Sequence, residues 1–294
     1  MPPSLLSRLI ASMLKMVRFK RLLEQMAHRK IARSAKGFVP ARINKKYAVA
    51  TRKVQGKEIT TLERRDKAAN DHLVFFHGGA YIFEAAPYHW RFAQKIMDQH
   101  LCRATLVDYP LAPEHSYKDT FGMVAEAWDL LLREYPGDRF FFMGDSAGGG
   151  LALAFAQKLA QESPAKLPAG LILLSPWLDL TMSNPPVKDL ERSDVILSTG
   201  MLRHAGSLYA GGDDQHHYLL SPINGPFEGL PRTIVFYGTE ELFHADCLKM
   251  KSIVNPLGPR FLFREYPGMQ HDWALLPLPE SAVVVEEICS FLNE

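Results

Sequence analysis

Short apolar runs of strand length recur along the chain, each followed by a stretch long enough for a helix: Leu73 to Phe76, Ala104 to Val107, Phe140 to Met143, Leu171 to Leu174, Thr233 to Tyr237 and Phe261 to Phe263. Continuous apolar runs suit strands buried on both faces. Their alternation with helical stretches predicts an α/β protein with a mostly parallel central sheet flanked by helices. Ahead of them, from Tyr47 to about Arg65, β-branched residues crowd both sides of Gln55-Gly56, which predicts a hairpin. A terminal helix is expected from about Glu280 to Leu292. The interval from about Thr181 to Leu220 breaks the alternation. Asn184-Pro185-Pro186 and Gly211-Gly212 interrupt it, and only Met201 to Tyr209 reads as helix, so it is expected to be an insertion.

The first residues follow a different pattern. Leu5, Leu6, Leu9, Ile10, Met13, Leu14 and Val17 recur at three- and four-residue spacing, predicting an amphipathic helix from residue 4 to about 17 that continues through Leu22, Leu23 and Met26. Charge sharpens this picture. The formal net charge is only +2, yet residues 1–53 carry 14 Lys or Arg against one acid, Glu24, leaving 20 bases and 31 acids for the rest. Three readings fit such a segment: a transit peptide, a helix lying on an anionic membrane surface, and a helical lid on an acidic body, of which the lid is favoured. Lys15, Arg18, Lys20 and Arg21 interrupt any secretory apolar core. Nucleic-acid binding is disfavoured, because the bases alternate with a Leu/Met stripe and no recognition module accompanies them.

Composition adds exclusions. With 294 residues, 47% hydrophobic and 22% charged, the chain can bury a large core as one large domain or two small ones. No apolar run approaches the ~18 residues of a membrane span. Cys102, Cys247 and Cys289 form no CxxC pair, which excludes a disulfide framework or zinc ribbon and fits reduced thiols in a cytoplasmic protein. His216-His217 beside Asp213-Asp214 lacks the ligand spacing of a zinc enzyme and is read as a solvated loop.

The chemistry starts at Gly144-Asp145-Ser146-Ala147-Gly148, which follows a strand and opens an Ala/Leu-rich helix. Flanking glycines let strand and helix approach closely while the serine occupies a strained turn with its hydroxyl exposed above the sheet edge. A serine needs an adjacent base, and the oxyanion of acyl transfer needs preorganised donors. Donors are expected from His77-Gly78-Gly79-Ala80 after the strand ending at Phe76: the N–H groups of Gly78 and Gly79, joined by that of Ala147. The base is expected at His271, on a loop between the strand ending near Glu265 and the terminal helix. A carboxylate should orient it from the end of the preceding strand, where Glu240 and Glu241 both stand.

Together these residues resemble the hormone-sensitive-lipase-like (bacterial family IV) branch of the α/β-hydrolase esterases over roughly residues 70 to 292. The resemblance is carried by His77-Gly78-Gly79, Tyr109-Pro110-Leu111-Ala112-Pro113-Glu114, Gly144 to Gly149, then an acid and Gly268-Met269-Gln270-His271 in that order. It implies an α/β-hydrolase fold with a helical cap from residues 1–46 and 181–220 on a catalytic core of residues 47–180 and 221–294. It implies Glu241 as the acid, three residues after Gly238 and before an apolar pair, with His77, Asp145 and Glu114 as supporting residues. It further implies a serine carboxylesterase acting on small esters with acyl chains of roughly two to eight carbons, without metal or organic cofactor. The sequence departs from the family in having Glu where Asp is usual, Ala80 where a third Gly is common, and Pro110 for an Arg. The same triad also serves amidases, deacetylases and thioesterases, and the scaffold occurs as a non-catalytic small-molecule receptor. Weak membrane-surface association of the N-terminal helix and a homodimer remain open expectations.

Overall fold

The computed structural model describes residues 2–28, 40 and 43–294. Residues 29–39, 41 and 42, within the first expected cap segment, lie outside the described residues. Gln55 and Gly56 both take positive φ, 48° and 78°, as a two-residue turn matched to strand twist requires. They join β1 (Tyr47–Val54) to β2 (Lys57–Arg64) in an antiparallel pair. The remaining strands are β3 (Asp71–Phe76), β4 (Cys102–Val107), β5 (Arg139–Asp145), β6 (Gly170–Leu174), β7 (Arg232–Gly238) and β8 (Phe261–Tyr266). The eight-stranded sheet runs β1-β2-β4-β3-β5-β6-β7-β8, parallel from β4 onward.

The strands are apolar throughout because both faces are covered. Phe140, Phe142, Leu171, Leu173, Val235 and Tyr237 pack on one side, and Phe141, Met143, Ile172, Leu174, Ile234 and Phe236 on the other, the two-residue period of a pleated strand. The helices are α1 (Leu5–Met16), α2 (Phe19–His28), α3 (Ile43–Lys46), α4 (Pro87–Gln99), α5 (Tyr117–Glu134), α6 (Ser146–Glu162), α7 (Val187–Leu190), α8 (Thr199–Ala210), α9 (His244–Val254) and α10 (Pro279–Asn293). Buried residues of α5, α6 and α9 join the first side, and those of α4 and α10 the second. No helix among the described residues is long and apolar enough to cross a membrane.

The helix expected from residue 4 to about 17 is α1, while the stretch through Leu22, Leu23 and Met26 forms a second helix, α2, rather than its continuation. Arg18 takes φ 53°, and its N–H closes on the Lys15 carbonyl, ending α1 and redirecting the chain. After the break α2 packs on α8, and Lys20 pairs with Glu191 at 2.9 Å. Earlier, α1 is tied to α10: Ser7 Oγ donates to Glu280 at 2.9 Å, and the Ser4 N–H donates to the same carboxylate at 2.6 Å. As expected, residues 181–220 interrupt the alternation, between β6 and β7, with α7 and α8. Tyr209 of α8 stacks on Tyr81 with centroids 3.8 Å apart, fixing the insertion above the loop after β3.

Candidate active site

Chain order in the sheet brings two distant loops together. β3 has β4 on one side and β5 on the other, so the connections leaving β3 and β5 diverge and leave a crevice at the strands' carboxyl ends. Phe76 pairs with Gly144, which sets the His77–Ala80 segment beside Ser146. The turn between β5 and α6 is tight. Ser146 takes φ 51°, and a Cβ on Gly148 would lie 2.6 Å from the His77 carbonyl oxygen and closer still to that of Phe76. Only glycine allows that contact, while the strained turn holds the serine hydroxyl at the sheet edge.

His271 arrives from the loop after β8, crossing the ends of β7 and β6, and its Nε2 lies 2.9 Å from Ser146 Oγ. Its Nδ1–H donates to Glu241 Oε2 at 2.7 Å. The other oxygen, Oε1, accepts from the Gly238 N–H at 2.7 Å and from Ser175 Oγ at 2.9 Å. Glu241 is buried and Glu240 half-buried, so of the two acids it is Glu241 that meets the imidazole.

One expected donor is redirected. The Gly78 N–H donates to Asp145 Oδ1 at 2.9 Å and is therefore occupied by a carboxylate. The cavity at Ser146 is lined instead by Gly79 and Ala80, whose N–H groups have no acceptor among the described residues. Asp145 is a buried clasp. His89 Nδ1 accepts the Ala86 N–H at 2.8 Å, which leaves its Nε2–H to donate to Asp145 Oδ2 at 3.3 Å. His77 donates from Nδ1 to the Gly78 carbonyl at 2.7 Å and stacks on Tyr109 at 4.4 Å. Burial, then the neighbouring His89, lowers its pKa to about 4, so it is a neutral support for the loop. Glu114 is exposed.

Three residues escaped the sequence reading. Asp194 is buried and accepts from the N–H groups of Ile196, Leu197 and Leu242 at 2.7–3.0 Å, linking the insertion to the Glu241 loop. Gln270 accepts the Val195 N–H at 2.9 Å and donates to the Ser193 carbonyl at 3.2 Å, linking the insertion to the His271 loop. Asp272 places Oδ2 3.0 Å from His271 Nε2, on the serine side of the ring, while its Oδ1 is buried without a hydrogen-bond partner among the described residues. Adjacent position to His271 was the one available signal for it. Burial first, against the attraction of His271, pushes the Asp272 carboxyl up to about 6. For His271, burial disfavours the imidazolium but is outweighed by Asp272 and Glu241, and its pKa is raised.

Ser146 and His271 open into a cavity of about 340 Å³ with mostly apolar walls. Leu14, Phe19, Leu23 and Met26 from α1 and α2, and Ile196, Leu197 and Met201 from the insertion, form much of it. No cluster of His, Cys, Asp or Glu among the described residues is arranged to hold a metal. The arrangement can activate a hydroxyl toward a carbonyl held in an apolar pocket.

Comparison with known proteins identifies the family. Residues 73–275 match the family of the α/β hydrolase fold. The chain is 30% identical over 224 residues to an acetyl-hydrolase of Streptomyces hygroscopicus, covering 75% of each. It is 30% identical over 244 residues to an esterase of Acinetobacter venetianus, covering 81% of this chain and 78% of that one. A crystal structure of a hormone-sensitive lipase from a metagenome library superposes with a TM-score of 0.82 at 26% identity, covering 99% and 98% of the two chains. The chain is thus a carboxylic ester hydrolase of the α/β-hydrolase fold family, in its hormone-sensitive-lipase-like branch.

Proposed function

We propose that Ser146, His271 and Glu241 act as nucleophile, general base and orienting acid in the hydrolysis of short-chain acyl esters. The observation that carries this reading is the chain of contacts from Ser146 Oγ through His271 to Glu241, 2.9 Å and 2.7 Å, at the floor of an apolar cavity. His271 takes the serine proton through Nε2 as Oγ attacks the ester carbonyl. The tetrahedral oxygen is stabilised by the N–H groups of Gly79, Ala80 and Ala147, the first two replacing the pair that begins at Gly78. The imidazolium then protonates the leaving alcohol, and water repeats the sequence on the acyl-enzyme.

Residues 1–46 and 181–220 are read as one cap over a core of residues 47–180 and 221–294. Support comes from Leu14, Leu23 and Met201, which reach the same cavity from both segments. A volume of about 340 Å³ favours small acyl groups over long triacylglycerol chains. A panel of p-nitrophenyl esters from acetate to palmitate tests this, with Ser146→Ala as the control. Rates should peak between about two and eight carbons, as apolar fit to a cavity of this size favours, and vanish in the variant. A peak at palmitate overturns the chain-length reading, and near-full activity of Ser146→Ala overturns the nucleophile.

A further inference from the structure

The two N-terminal helices are oriented by specific contacts, so which of their side chains face outward is determined. Ser7 is held on Glu280 of α10, and Lys20 on Glu191 of the insertion. Leu14, Phe19, Leu23 and Met26 point into the cavity at Ser146. On the opposite side Leu5, Leu9, Met13 and Met16, spaced four, four and three residues apart, form one stripe along α1, with exposures of 71, 57, 50 and 77%. Val17 and Leu22 extend it across the break, 59 and 49% exposed. A twelve-residue helix is about 18 Å long, so the stripe is a continuous apolar strip at the surface. Soluble monomers seldom leave such patches without a partner.

The charges beside the stripe identify what it fits. Arg8, Lys15 and Arg21 on the same two helices, and Arg18 at the break between them, are exposed. Lys15, Arg18 and Arg21 form no ion pair among the described residues, and the single acid of α1 and α2 is Glu24. An apolar stripe edged by unpaired bases matches the boundary of an anionic bilayer, where leucine and methionine enter the acyl region and the bases stay among phosphates. A symmetric second copy fits worse, since it would set the same bases against one another.

We propose that α1 and α2 form a docking surface for an anionic lipid membrane, with the active-site cavity directly behind the docked helices. Docking presents that cavity to esters dissolved in the bilayer; this consequence rests on the esterase reading, whereas docking itself does not.

Flotation of the full chain with lipid vesicles tests it. The protein should float with vesicles of phosphatidylglycerol and phosphatidylcholine in equal parts, stay behind with phosphatidylcholine alone, and be released by salt. Each base near such a surface raises partitioning by about fivefold, so Lys15→Gln with Arg21→Gln should weaken flotation by about 25-fold. Leu9→Gln with Met13→Gln and Met16→Gln should weaken it by at least about tenfold while p-nitrophenyl butyrate hydrolysis in vesicle-free buffer stays at the parent rate, which reports an intact fold. No flotation of the parent protein with the anionic vesicles overturns the proposal. So does a triple variant that floats like the parent, or a parent dimer in light scattering that the triple variant abolishes. Flotation without ester hydrolysis would support docking and remove the esterase reading; hydrolysis without flotation would do the reverse.

Discussion

Replacing Asp272 by Asn should move the acid limb of the activity profile to lower pH. His271 must be neutral at Nε2 to take the Ser146 proton, so activity rises as pH climbs through the His271 pKa. The charged groups facing the ring are Glu241 at Nδ1, Asp272 at Nε2 and Asp194 beyond them. Asp272 favours a proton on the nitrogen that the serine needs. At 3.0 Å, two unit charges in an effective dielectric of about 20 attract by about 5 kcal/mol, an upper bound because the carboxylate is 22% exposed and its own pKa is raised. Opposite charges at such range typically shift a pKa by about one to two units, each worth about 1.4 kcal/mol. Removing this charge lowers the His271 pKa, so the half-maximal point of kcat/KM should fall by about one to two pH units. The assay is kcat/KM for p-nitrophenyl butyrate across pH, read at the isosbestic wavelength of p-nitrophenol, with the plateau at high pH as internal reference. An acid limb that stays put or moves upward refutes the reasoning.

The same structure leads to further expected outcomes. Glu241→Gln keeps the shape but removes the charge that fixes the His271 tautomer, so kcat should drop by about 10²- to 10⁴-fold with the melting temperature nearly unchanged; an activity within a factor of about two would contradict the role proposed for Glu241. Gly148→Ala drives a methyl onto the Phe76 and His77 carbonyls and should cost about 3 kcal/mol in denaturant unfolding; unchanged stability would mean that the strand–helix approach is looser than drawn. Asp246 is buried, bonded to Asn184 at 2.9 Å through one oxygen and without a hydrogen-bond partner among the described residues at the other, and burial pushes its pKa up to about 6. The folded state therefore holds this proton more tightly than the unfolded chain, and ionisation of Asp246 lowers stability as pH rises from about 4 to 6, by up to about 3 kcal/mol above that window. Asp246→Asn should raise the melting temperature at pH 8 and lose that advantage near pH 4; a destabilised variant at pH 8 would reverse the sign.

The strands and most helices were legible because burial on both faces writes itself as uninterrupted apolar runs, as in Phe140 to Met143 and Leu171 to Leu174. Ser146 was legible because a strained turn between strand and helix demands glycine on both sides. Gly78 was misread for the converse reason. A Gly-Gly pair marks backbone that approaches something closely, but which N–H faces the cavity depends on Asp145, 67 residues away in sequence, claiming one of them. The break at Arg18 was likewise invisible, since hydrophobic spacing continues smoothly across it.

The local sequence by itself determined the elements and the chemical kinds of group at their ends: a serine in a tight turn, two acids after β7, a histidine after β8. Tertiary structure decided their pairing. It put His271 across the ends of two intervening strands onto Ser146, separated Glu241 from Glu240 by burial, and set Asp272 against Nε2 of His271. Periodicity and turn chemistry act over a few residues and leave a local trace, whereas strand order, loop crossing and desolvation are properties of the assembled sheet.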